Sequence, residues 1–398
     1  MKIKCQPSDF QVEELPAVRP QPRGPYRYYR LTKTGLGTPE AIQILCRRWN
    51  LAAQQVRYGG LKDRHAHTIQ YLTIRDGPDH SLHLPNLELE PLGCLDTAYG
   101  PGSFRGNRFT LVLRDMDSTA ADAALAEIHD IGRDGLPNYF DDQRFGSVGY
   151  DGGFIGAAWM QGHHEEALRL ALAAPNPMDR PEVRKEKVIL RTHWLEWPAA
   201  KAALPRSSAR SIVTYLVDHP DDFKGAFART NRDMRSLWFS AFQSHLWNLL
   251  LAQAIREITR DDQRTDYTFK VATMPIFHGL DAVQSARLKS LDLPLPASRT
   301  PRPDGPLGDW AATVLQPFGL AWEDLRVKGL KDVFLSKGSR RAVFAPDSIS
   351  AHREPDALYP RRHAVVLTFE LPRGAYATML VKRLTAGHDP GDDNDAQA

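Results

Sequence analysis

Cysteine is scarce in this chain. Its 398 residues hold three, Cys5, Cys46 and Cys94, widely separated and without a CxxC pair, which argues against a disulfide scaffold and a cysteine-built zinc site. Long apolar runs are missing too. The longest, Leu246 to Ile255, is interrupted by Asn248 and Gln253 and falls far short of the roughly 20 residues a membrane helix needs. The N-terminus, MKIKCQPSDFQVEE, has positive charge but no apolar stretch and no small-residue cleavage site, so a secretory leader is not expected and a cytoplasmic protein is. No GxxxxGK(S/T) phosphate loop, GxSxG elbow or HExxH pair occurs, which removes three large enzyme classes. His163-His164-Glu165-Glu166 comes nearest to a metal cluster. Adjacent helical residues point about 100° apart, however, and no third ligand is evident. Neither a metal nor a cofactor is expected.

What is present has the balance of a soluble globular protein, 42% hydrophobic and 25% charged, at a length that predicts about two or three domains. Net charge is +3, but the last 13 residues contain four aspartates and no Lys or Arg, so the body carries +7. Within it, Arg326, Lys328, Lys331, Lys337, Arg340 and Arg341 face Asp332 alone across a 16-residue stretch. A second cluster, Arg23-Gly-Pro-Tyr26-Arg27-Tyr28-Tyr29-Arg30, interleaves cations with aromatics, a composition suited to phosphates and unstacked bases. Against this stands the plain alternative of a solvated face and strand aromatics buried in a core.

The pattern from residue 1 to about 150 alternates short strands and helices. Tyr26 to Lys33, Val56 to Tyr58, Thr68 to Arg75 and Asn107 to Arg114 read as strands, rich in β-branched and aromatic residues. Thr38 followed by Pro39 predicts an N-cap and a first helical residue, with Ala41, Ile42, Leu45 and Trp49 on one face. Ser118 to Gly135 predicts a helix closed by its glycine. The GGLKDRHA segment at 59–66 is expected to be an exposed loop. No βαβ regularity appears, which favours an α+β fold with a mixed or antiparallel sheet. From about 150 to 340 helical patterns dominate, notably Ser207 to Leu216 and Asp233 to Thr259, where Leu237, Ala241, His245 and Leu249 recur at near-helical spacing. Pro294 to Pro306 reads as loop, and His363 to Glu370 as a returning strand. The expected organisation is a strand-bearing domain at 1–150 and 345–385, a helical insertion at 151–344, and a disordered acidic tail at 386–398.

Two segments carry candidate chemistry. In Gly60-Leu61-Lys62-Asp63-Arg64-His65-Ala66 a carboxylate stands between two cations, which lowers its pKa and suits a nucleophile or base, or equally a salt-bridged loop. Pro137-Asn138-Tyr139-Phe140-Asp141-Asp142-Gln143-Arg144-Phe145-Gly146 combines amides, aromatics and an arginine, a set that can hold a planar heterocycle by stacking and edge hydrogen bonds.

In sequence order, these segments resemble the TruD family of pseudouridine synthases, which convert a tRNA uridine to pseudouridine. The resemblance rests on KCQPSDF at 4–10 with Val12 and Glu13, GLKDRHAHT at 60–68, GNRFTLVLR at 106–114, PNYFDDQRFG at 137–146, SAFQSHLWN at 240–248 and LPRGAYATMLVKRL at 371–384. It implies a pseudouridine synthase catalytic domain, a mixed sheet with flanking helices, interrupted by an α/β insertion peculiar to the family. It further implies that Asp63 is the catalytic aspartate, with Lys4 supporting it, and that Asn138 and Phe140 hold and stack on the uracil. Gln143, Arg144, Lys62 and Tyr376 are expected around the substrate, with Gly374 and Thr378 in the same returning motif. Asp141 stands where the family pattern leads one to expect glycine. The expected partner is tRNA, modified at position 13 by a monomeric enzyme without cofactor, and the basic run at 326–341 is the expected RNA surface. Two other readings remain open at this stage: a same-family enzyme acting on rRNA or mRNA, and an inactive RNA-binding protein.

Overall fold

The computed structural model describes residues 1–385; the acidic tail, expected to be disordered, lies outside them. The chain divides into two compact units, Met1–Gly135 with the return segment from Ala345, and Leu136–Phe344. The first boundary therefore falls at Gly135 and not near 150. A ladder explains the shift: Leu136–Pro137 pair antiparallel with Val343–Phe344, and the Asn138 N–H donates to Ala342 O at 2.8 Å. The PNYFDDQRFG segment is thereby tied to the end of the second unit.

The first unit is built on a ten-stranded sheet. Its strands lie in the order Asp347–Pro355, His363–Pro372, Phe104–Met116, Phe10–Pro16, His67–Arg75, Tyr26–Thr34, Leu87–Leu95 and Leu82–Leu84, with Lys2–Ile3 paired to the third and Val56–Tyr58 to the fifth. Among the described residues one pairing is parallel, Phe10–Pro16 against His67–Arg75, in the register Val12 to Thr68. The sheet is thus mixed, as an α+β chain without βαβ units requires.

Successive strand residues point to opposite faces, and the tyrosine pair shows both faces covered. Tyr29 enters a cluster with Leu31, Leu72, Ile74 and Leu89 beneath Ala41, Ile42 and Leu45 of the helix Thr38–Trp49. Tyr28 packs with Tyr71, Leu95, Tyr99 and Phe104. Each leucine, isoleucine or phenylalanine of the two clusters contributes roughly 1.5–3 kcal/mol on full burial. Of the basic and aromatic cluster at 23–30, these two rings are therefore core, while Arg27 pairs with Asp79 at 3.1 Å and Arg30 with Glu90 at 2.6 Å. The helix begins one residue earlier than expected, with Gly37 as its cap. The Thr38 hydroxyl is engaged elsewhere, as described below.

The second unit is mainly helical. Its longest helix, Arg232–Ile258, starts at Asn231, whose side chain accepts from the Asp233 and Met234 N–H groups. From Trp238 to Ile255 it is buried on nearly every side, the mark of a central helix, with Ile155–Met160 and Gly305–Leu315 packed on it. Of the face expected from spacing, Ala241 and His245 are buried, whereas Leu237, a turn nearer the start, is exposed. Residues 295–304 carry no helix or strand. Gln243 of the central helix holds that loop by donating to Pro296 O, and ties it to the segment at Ser336 by donating to Ser336 O.

Candidate active site

Asp63 sits in the segment between the strands Val56–Tyr58 and His67–Arg75, and contacts from both ends of the first unit's strands shape its surroundings. Lys4 Nζ lies 3.0 Å from Asp63 Oδ2, and the His65 N–H donates to Oδ1 at 3.1 Å. Both side chains of the ion pair are about one-third exposed, so the carboxylate is open to a ligand. Burial pushes its pKa up, but the hydrogen bond and charge of Lys4, with the backbone N–H groups of His65 and Arg64, outweigh burial and hold it below the usual carboxylate value. Lys4 reaches it from a left-handed backbone conformation, φ 54°, which costs a non-glycine residue roughly 1–2 kcal/mol. Its ammonium also lies 4.3 Å from the centre of the Phe10 ring.

The segment is half-buried, not an exposed loop throughout: Leu61, Arg64 and His65 face out, while Gly59 and Ala66 are enclosed. A Cβ on Gly59 would come within 2.8 Å of the Phe104 ring, so only glycine lets the chain pass there. Lys62, expected near the substrate, is turned inward. Its ammonium pairs at 2.6 Å with Glu14, a carboxylate with no exposed surface that also accepts from the Tyr71 N–H and the Tyr99 hydroxyl. Since burying a carboxylate is costly unless it is paired and hydrogen-bonded, Lys62 is held by that requirement.

Two further residues hold the backbone. The Thr38 hydroxyl accepts from the Lys62 N–H at 2.9 Å and donates to Gln70 Oε1 at 2.8 Å. Lys33, itself enclosed, donates from Nζ to Leu36 O and to Asp63 O, the latter at 2.9 Å. Burial pulls its pKa down to about 8, while Asp63 opposes that shift. Glu14, Lys33 and Thr38 were not singled out as site residues from the sequence, yet a signal existed. Glu14 shares a strand face with Phe10 and Val12, and Lys33 with Tyr29 and Leu31; a charge on an apolar face needs a partner.

The returning LPRGAY motif begins in the last two residues of the strand His363–Pro372 and leads into the helix Ala377–Thr385. Gly374 takes φ 84° at the turn, a conformation that favours glycine. The Arg373 guanidinium lies 5.3 Å from the centre of the Phe104 ring, as does the Lys62 ammonium. Tyr376 is half-buried.

The remaining candidates lie in the second unit. Asn138 is buried, its Nδ2 donating to Arg341 O at 2.8 Å. Phe140 is half-buried, and its backbone N–H and C=O both bond the Asn248 side-chain amide at 2.8 Å. Arg144 donates to Ser244 Oγ at 3.0 Å, with its guanidinium 5.6 Å from the Phe140 ring. The SAFQSHLWN motif thus serves as the scaffold for PNYFDDQRFG. Asp142 accepts from the Lys270 N–H at 2.8 Å, and Asp141 is buried. Gln143 is exposed and, with Arg144, lines a cavity of about 430 Å³. Of the basic run, Arg326, Lys328, Lys331, Lys337 and Arg341 are exposed. Arg340 is half-buried and donates from Nε to Asn138 O at 2.9 Å.

An aspartate fixed through its backbone and held ionised by a lysine, in a unit built on a mixed sheet, offers an unprotonated carboxylate of the kind a nucleophile or base requires. The chain belongs to the tRNA pseudouridine synthase D (TruD) family, whose model matches residues 1–384. Relatives bearing the name tRNA pseudouridine synthase D include those of Aquifex aeolicus, 26% identical over 96% of this chain and 98% of theirs, and Leptospira interrogans, 27% identical over 96% and 95%. A solved Methanosarcina mazei structure designated TruD superposes with a TM-score of 0.75 at 24% identity, covering 96% of this chain and 93% of that one; it bears on the fold alone. Among the described residues no helix is long and apolar enough to cross a membrane.

Proposed function

We propose that this chain isomerises uridine to pseudouridine in tRNA, at position 13, with Asp63 as the catalytic residue. The observation that carries the reading is the Asp63 carboxylate itself, one-third exposed, ionised by Lys4 and aligned by the His65 N–H. Isomerisation breaks the N1–C1′ bond, turns the uracil while it stays bound, and joins C5 to C1′. Asp63 either attacks C1′, with the N1–C1′ electron pair leaving on the uracil, or takes the 2′ proton to give a glycal. In the first route C5 then displaces the Asp63 oxygen from C1′. In the second the N1–C1′ bond breaks as the glycal forms, and C5 bonds to C1′ as Asp63 returns the proton to C2′. In both the C5 proton is lost and N1 gains one, so the reaction is balanced without redox change. Each route needs an unprotonated carboxylate, and the lowered pKa supplies it at neutral pH.

The reacting atoms are inaccessible in a stacked helix, so the nucleotide must be extruded and its stacking replaced. Phe140 offers the aromatic surface and Asn138 an edge contact. The exposed cations Arg326, Lys328, Lys331, Lys337 and Arg341 supply phosphate contacts. Asp63→Ala and Asp63→Asn should abolish pseudouridine formation while tRNA affinity stays within a few-fold, because the carboxylate is lost and the basic surface is not. Sequencing the product by pseudouridine mapping locates the modified position. Substantial turnover by Asp63→Ala would sink the mechanism, and modification confined to rRNA or mRNA would overturn the substrate.

A further inference from the structure

Arg340 belongs by sequence to a run of exposed cations, but its geometry differs from theirs. It lies in the strand Ser339–Arg341, opposite Leu293. From there Nε donates to Asn138 O at 2.9 Å and Nη2 donates to Asn138 Oδ1. The same guanidinium lies 4.4 Å from the centre of the Phe140 ring and 5.4 Å from that of Trp247, which meets Phe140 edge-on at 83°. One planar fork therefore touches both residues assigned to the base. A guanidinium donates two hydrogen bonds from the edge of a rigid plane whose face can lie against a ring; an ammonium, a point charge on a flexible stem, has no such plane to align both partners.

We propose that Arg340 is a positioning residue for the base-holding segment, and not a phosphate contact. Arginine has no acceptor, so its bond to Oδ1 fixes which way the Asn138 amide faces. Nδ2 then points to Arg341 O with one hydrogen and keeps its second for a carbonyl oxygen of uracil. The Asn138 N–H is fixed to Ala342 O in turn, so three consecutive residues, 340 to 342, set the backbone and amide of Asn138. This rests on the reading of Asn138 and Phe140 as the residues that hold the base.

The test compares Arg340→Lys and Arg340→Met with Lys337→Ser, Asn138→Ala and Phe140→Ala, measuring single-turnover rate at saturating enzyme and tRNA affinity against salt. Both Arg340 variants should lose about 100-fold in saturated rate, the effect of a misplacement of about 1 Å, while the salt slope of binding is unchanged. Lys337→Ser should lower that slope by roughly 0.7–0.9, as a lost phosphate contact does. Arg340→Met in the Asn138→Ala background should add little, because the group it positions is already gone. A wild-type rate with a lowered slope would overturn the proposal and return Arg340 to the phosphate surface, and fully additive losses would place its action away from Asn138. If Arg340→Met fails to fold, Arg340→Lys, which keeps the charge and stem, decides alone: a wild-type rate overturns the proposal. Wild-type rates in Asn138→Ala and Phe140→Ala would instead bring down the base-holding reading itself.

Discussion

Lys33 gives the most direct physical test of how the site is built. It is 1% exposed, bonded to two carbonyls, and its charged neighbours are Asp63, Lys62 and Glu40. Burial brings its pKa from 10.5 to about 8. At about 1.36 kcal/mol per unit, holding the charged form inside the protein costs about 3 kcal/mol at neutral pH. Below pH 8 both folded and unfolded states carry the proton, and the cost is present in full. Between about 8 and 10.5 the folded state releases the proton while the unfolded state keeps it, so stability rises with pH in that window. Lys33→Met removes this titration. Urea unfolding of both proteins from pH 7 to 9.5 should therefore show the wild type gaining about 2 kcal/mol relative to the variant. Over the same range the variant should turn tRNA over at least about tenfold more slowly, since Asp63 O has lost its donor and the carboxylate its fixed position. Parallel stability curves would refute the reasoning, for they would mean that Lys33 is not a buried cation.

The neighbouring groups give two shorter tests. Lys4→Met removes the main ion-pair partner of Asp63; its carboxyl should protonate at higher pH, moving the acid limb of the pH–rate profile upward. An unmoved limb would show that Lys4 does not set the charge of Asp63. Glu14→Gln leaves the Lys62 ammonium buried without a counter-ion and should cost about 3–5 kcal/mol in urea unfolding, with much of it recovered in Glu14→Gln/Lys62→Met. A loss below about 1 kcal/mol would mean that water reaches the pair.

Much of the fold was legible because its signals are local. The strand at Tyr26, the strand through Asn107 to Arg114 and the helix from Ser118 announce themselves by alternation, by β-branched content or by a closing glycine, and the mixed α+β class follows from the missing βαβ rhythm. The first boundary was not legible. Nothing near Leu136 marks the end of a unit, since what moves it is a two-residue ladder to Val343–Phe344, more than 200 positions away in sequence. The start of the helix at Thr38 was misplaced for a related reason. Threonine before proline is an ordinary cap signal, but a hydroxyl committed to Lys62 N–H and Gln70 across the sheet has no freedom to cap.

For the candidate site, residue types were legible and partners were not. The cations beside Asp63 left a nucleophile and a salt-bridged loop equally open, and the family resemblance pointed to the former; those cations in fact pair elsewhere, Lys62 with Glu14 and Arg64 with Glu40. Lys62 turns to Glu14 because a lysine beside an aspartate in sequence need not face it in space: its partner arrives by strand register, as Arg340 reaches Asn138 across the whole insertion. Charge and position are in fact handled by different lysines. Lys4, partly exposed, governs the ionisation of Asp63, and a solvated ammonium suits that role because it can yield to a ligand. Lys33 and Lys62, enclosed, bond to a backbone carbonyl and to a buried carboxylate, where leaving would strand a charge or a carbonyl without a partner. A catalytic carboxylate must be both open and immobile, and a single cation would have to be exposed to serve one need and buried to serve the other.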